Sequence, residues 1–194
     1  MNSLAGTQSV DNHRDPTDIS LVELILKTSV AHTVTYFVAG IVAMLAFNYE
    51  DAFNEVARNS DYLRAFDDPL IMAGPLFQPL RGILFALAFY PLRSVLFARP
   101  YGWLILWWTL VVIGIWSAFG PAPHSIEGMI FTNLPANFAN LETEVQALGL
   151  SGILWAWIQY PKKRWLGWIM WASFALIVIL IALGLLQKFG FIPA

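Results

Sequence analysis

The sequence contains no cysteine, which excludes disulfides, thiolate metal sites and cysteine nucleophiles. Charge is scarce too: 12% of the 194 residues are charged, about half of the roughly 25% usual in soluble domains. So few charges cannot cover a water-facing surface. The high hydrophobicity excludes a disordered chain as well, since disorder needs low hydrophobicity and high net charge. Eleven basic residues stand against 13 acidic ones, a net charge of −2, so no basic surface invites nucleic acid. The familiar catalytic patterns are missing: no Gly-x-Ser-x-Gly, no His-Glu-x-x-His, no phosphate loop, no dinucleotide fingerprint. What is plentiful is apolar. With 58% hydrophobic residues, 15% aromatics and a mean hydropathy of +0.61, the composition is that of an integral membrane protein.

A hydrocarbon core about 30 Å thick takes roughly 20 apolar residues as a helix. Five runs qualify as candidates, at 21–47, 82–97, 101–119, 141–160 and 165–186. The expected fold is therefore an all-α polytopic transmembrane bundle of about five helices, one membrane-embedded domain over residues 20–190. Residues 1–19 form a polar, mobile tail without the features of a signal peptide. The first hydrophobic helix is then expected to act as its own insertion signal, and residues 191–194 form a short C-terminal end.

Lysine and arginine in short connections set orientation. Arg93 and Arg99 lie between helices two and three, and Pro161-Lys162-Lys163-Arg164 joins four and five. The two long connections are acidic instead. Basic turns in the cytoplasm put the N-terminus inside and the long connections outside. Trp103, Trp107, Trp155, Trp157, Trp165 and Trp168 cluster beside the basic turns, as an interfacial aromatic belt does. The outer connections are expected to be partly helical. Tyr49, Ala52, Phe53 and Val56 recur at helical spacing, and Pro135 sits where a helix can begin.

Close packing of small residues must hold such a bundle together, because helices in lipid gain little from burying apolar surface. Ala31, Thr35, Ala39 and Ala43 give helix one a small face, and Gly82 and Ala86 do the same for helix two. Pro91 removes a backbone donor from helix two and is expected to kink it.

Several polar groups call for an explanation. Arg81 and Arg93 are 12 residues apart, about 18 Å along a helix, less than the hydrocarbon thickness. Arg93 is expected to snorkel to headgroups or to pair with Glu23, although Glu23 and Lys27 already form a favourable i,i+4 pair. His32 lies deeper on helix one, and a lone membrane histidine is most simply a packed, hydrogen-bonded residue. Pro79 reads as the first turn of helix two. That puts Arg81 at a helix N-terminus, where the macrodipole is positive and an anion is needed nearby. Glu50, Asp51, Asp67, Asp68 and Glu127 are the anions assigned to that side, with His124 and Gln78 alongside.

This outer cluster of Arg81, His124, Glu127, Gln78, Glu50 and Asp51 is the main candidate site, and His32, Glu23 and Arg93 are the intramembrane polar residues. A metal centre is not expected, because carboxylates are common in any polar loop. No cofactor is expected either. The leading functional expectation is a non-enzymatic binding, accessory or transport-related component of a plasma or inner membrane. It would recognise a lipid headgroup, a small ligand or a partner protein from its outer side. The partners expected are the lipid bilayer and further proteins of a membrane complex, not nucleic acid. The alternative is an enzyme acting on a lipid-like substrate, with His124 and Glu127 as acid and base and Arg81 as a phosphate clamp. A proton-coupled transporter using His32 and Glu23 is the third reading.

Overall fold

The structure is a computed structural model that describes residues 15–47, 49–58, 64–118, 125–131 and 139–193. Helices dominate those residues, with no strand among them. They are α1 (Leu21–Phe47), α2 (Tyr49–Arg58), α3 (Pro69–Met72), α4 (Gly74–Phe89), α5 (Arg93–Leu96), α6 (Gly102–Val111), α7 (Ile126–Phe131), α8 (Ala139–Gln159) and α9 (Arg164–Lys188).

Three stretches are long and apolar enough to cross a membrane: Leu21–Ala46, Gly74–Leu96 and Arg164–Lys188. On α9 only Met170 and Ile177 are buried, so most of its apolar side chains face outward, which water would penalise and lipid would not. Helix α6 and the π-helical Val112–Trp116 that continues it form a shorter apolar rod, Gly102–Trp116. Its length, roughly 22 Å, falls short of the core thickness.

Helix α1 is the hub, packing chiefly on α4 and then on α8 and α9, while α6 packs on α8. Contacts fix the directions. Thr17, just ahead of α1, meets Arg93, Ser29 meets Pro79 and Tyr36 approaches Gly74, so α4 runs antiparallel to α1. Lys27 meets Trp157 and Gly40 approaches Glu142, so α8 is antiparallel as well. Leu24, Val30, Ala31, Ala86, Leu150 and Leu154 make the shared core.

The second helix begins at Gly74 rather than near residue 82 as expected. Pro75, not Pro79, occupies the first turn, and Pro79 lies inside the helix. A proline there withholds a hydrogen bond from the carbonyl four residues back and crowds it. Separately, the Pro79 carbonyl accepts a bond from Ser29 Oγ at 3.1 Å, which ties α4 to α1 at that level. Arg81 is therefore in the second turn of α4, not at its N-terminus. Pro91 acts as its chemistry demands: the helix tightens to 3₁₀ geometry over Tyr90–Leu92 before α5 resumes.

Ahead of α4, Asp68 caps α3. Its carboxylate accepts the Leu70 amide at 2.8 Å and pairs with Arg64 at 3.1 Å. The amide bond first, and Arg64 with it, hold the Asp68 carboxyl below the usual carboxylate range. In the turn after α5, a Cβ on Gly102 would overlap the Leu96 carbonyl, so only glycine lets α6 start there.

Candidate functional site

Three helices bring polar side chains together inside the apolar core. His32 of α1 is 2% exposed and stacks edge-on against Phe85 of α4, with centroids 5.0 Å apart. Its Nδ1 is 3.4 Å from Gln146 Nε2 of α8, and Gln78 of α4 reaches towards the same ring. Helical periodicity produces this arrangement. Thr28, His32 and Tyr36 succeed one another at four-residue steps along α1 and so share a face.

The hydroxyls of Thr33 and Thr35 bond back to carbonyls of their own helix, at 2.8 and 2.9 Å, so their polar atoms are spent locally. Thr28 Oγ1, His32 Nε2, Gln78 Oε1 and Ser151 Oγ are different. They are buried and have no hydrogen-bond partner in the structure. Buried polar groups are nearly always paired; these four atoms lie on α1, α4 and α8, and the Gln78 side chain faces the His32 ring.

Placement of the sequence candidates is uneven. Gln78 joins the His32 junction, where it also donates to the Gly74 carbonyl at 3.1 Å. Arg81 is exposed on α4 with its guanidinium 5.7 Å from the Phe85 ring centroid. No carboxylate among the described residues pairs with it. Glu127 is exposed in the first turn of α7, whose start is tied by the Gly128 amide donating to the buried Ser125 Oγ at 2.9 Å. Asp51 is exposed on α2, and Glu50 lies on the same helix. His124, like Pro135, falls outside the described residues. Among the described residues no group of three or more histidine, aspartate or glutamate side chains is placed to hold a metal ion.

The end of the bundle where α1 begins is closed by local pairs. Glu23 bonds Lys27 at 2.9 Å, and the same ammonium reaches the Trp157 carbonyl at 3.3 Å. Arg93 donates to the carbonyls of Thr17 and Tyr90 at 3.1 and 3.0 Å and lies over the Tyr90 ring. Of the two expected fates of Arg93, the contacts bear on the Glu23 pair alone, and Arg93 takes backbone carbonyls in its place. The 3₁₀ turn at Pro91 and the residues before α1 offer it backbone carbonyls instead. Trp155 donates to the Arg99 carbonyl at 3.0 Å, which places that part of the tryptophan cluster against the basic turn.

Sequence reasoning missed Gln146, and it read Ser151 only as a small packing residue beside Ala147 on helix four. Their signal was available, since each is an uncharged polar residue in the otherwise apolar stretch 145–158. No protein-family model, no curated protein and no solved structure matches this chain.

Proposed function

We propose that this chain is a five-pass membrane protein, its N-terminus cytoplasmic and its partly helical connections outside, with residues 20–190 forming one domain. It works as a binding or transport-related component. It takes a small anionic or hydrogen-bonding solute from the outer side into the junction of α1, α4 and α8. The observation that carries this reading is the buried His32 imidazole, met by the Gln78 and Gln146 side chains of two other helices, with the Thr28 and Ser151 hydroxyls buried without partners on α1 and α8. An ionisable side chain at membrane depth is costly and usually functional. Arg81, one turn along α4 from Gln78, supplies a cation that no described carboxylate neutralises.

Because the chain has no cysteine, single cysteines report topology directly. A cysteine at Ser3 or Lys162 is expected to react with an impermeant maleimide only in inverted vesicles, and one at Glu127 only in right-side-out vesicles. Labelling of Lys162→Cys and Glu127→Cys from the same side would remove the five-pass arrangement. For the site, native mass spectrometry of gently extracted protein is expected to find a stoichiometric small molecule. His32→Leu and Arg81→Ala should lose it, and Glu127→Ala should keep it. Retention in His32→Leu would place the site elsewhere.

A further inference from the structure

Between α1 and α8 runs a groove of about 330 Å³, lined by Val34, Val38, Ala43, Gly149, Ile153 and the side chain of Glu142, among others. That volume is at the small end of the roughly 300–1,000 Å³ of small-molecule sites. Its walls are almost wholly apolar, and the side chains at its mouth are outward-facing: Val38 and Val42 are 52% and 54% exposed. The groove therefore opens sideways, onto the same surface that the apolar faces of α1 present to lipid, not onto an aqueous vestibule.

Glu142 is the one charged residue in this lining, where the polar side chains are Thr35 and Gln146, the latter shared with the His32 junction. The Glu142 Oε1 lies 3.9 Å from the place a Cβ on Gly40 would occupy. Gly40 is seven residues before the end of α1, about 10 Å along the axis. The carboxylate is half-buried, and no cation among the described residues is in ion-pair range of it. A carboxylate held beside hydrocarbon needs a partner, and here the described part of the fold supplies none. An occupant that is long, apolar and cationic at one end would complement both the walls and the carboxylate.

We propose that this groove binds a bilayer lipid with a primary ammonium headgroup. One acyl chain lies along Val34, Gly149 and Ile153, and the ammonium pairs with Glu142. The lateral opening selects the bilayer as the source, and the lone carboxylate selects the headgroup. The inference needs α1 and α8 to lie in the membrane, but it does not depend on His32 or on any solute at the junction.

The test uses the full chain in nanodiscs of equal phosphatidylethanolamine and phosphatidylglycerol, released into a mass spectrometer. Wild-type protein is expected to retain the ethanolamine lipid over the glycerol lipid by about fivefold, the scale of an ion pair near 1 kcal/mol. Glu142→Gln should bring that preference to about even while total lipid retention persists. Gly149→Leu puts a bulky side chain into the groove wall, where the Thr35 methyl already stands 3.5 Å from the place a Cβ would occupy. It should lower retention of both lipids. Equal retention of the two lipids by wild type would overturn the proposal. So would an unchanged preference in Glu142→Gln, or release of the protein as a lipid-free dimer, which would make the groove a helix–helix interface. A fivefold preference for free dodecylammonium over the ethanolamine lipid in a competition arm would overturn the assignment to a bilayer lipid. Phosphatidylethanolamine retention that survives in His32→Leu separates this site from the junction.

Discussion

Gly82→Val is expected to destabilise the bundle by about 1–3 kcal/mol, while Gly152→Ala changes little. The difference lies in what each added atom meets. A Cβ at position 82 would overlap the Cα and amide nitrogen of Ser29, whereas nothing lies within 4 Å of one at position 152. Side chains can turn away from a new atom, but helix backbone cannot, so α1 and α4 would have to separate. Separation also lengthens the Ser29 to Pro79 bond that crosses this contact, a term of about 0.6 kcal/mol for interhelical bonds in membranes. Titration with sodium dodecyl sulfate in mixed micelles, followed by tryptophan fluorescence, measures both variants. Equal midpoints for Gly82→Val and Gly152→Ala would mean that α1 and α4 are not in backbone contact at this level.

That contact also explains which parts of the fold were legible in the sequence. The reach of α1 follows from a largely apolar run that carries no carboxylate, lysine or arginine after Lys27, and α9 from a run bounded by Arg164 and Lys188. The Glu23–Lys27 pair is local, so spacing alone predicts it. The start of the second helix was not legible, because a proline inside a helix and a proline at its first turn look alike in one dimension. What decides between them is packing against α1, which the local sequence does not carry.

The candidate site divides in the same way. His32 and Gln78 stand out as polar residues in apolar surroundings. Their meeting with Gln146 depends on the antiparallel register of α1 against both α4 and α8, which no local pattern encodes. Glu142 is a stronger case. Beside Glu144 it reads as ordinary loop-edge acidity, yet Glu144 is engaged by Trp116 Nε1 at 3.1 Å while Glu142 faces the groove. Two carboxylates two residues apart point to different sides of one helix, and only packing tells them apart.

The paired substitution His32→Leu with Gln146→Leu is expected to raise stability by about 1–2 kcal/mol and to abolish solute binding at the junction. The sign follows from hydrogen-bond accounting. His32 Nε2 is buried without a partner, and its one bond to Gln146 is long at 3.4 Å. An unsatisfied buried polar atom costs about 1–3 kcal/mol, and replacing both members of a weak pair by apolar groups of similar size removes that cost. Gln146→Leu alone should have the opposite sign, because it strips the imidazole Nδ1 of its partner and leaves that nitrogen buried and bare. Stabilisation that accompanies loss of binding is the signature of a site whose polarity is kept for function at the expense of the fold. Midpoints from the same detergent titration, with native mass spectra of each variant, separate the outcomes. A double variant less stable than wild type would make the His32–Gln146 pair a structural element of the core. A stabilised variant that still carries the solute would move the site away from the junction, and the unpaired cation of Arg81 would then be the place to look.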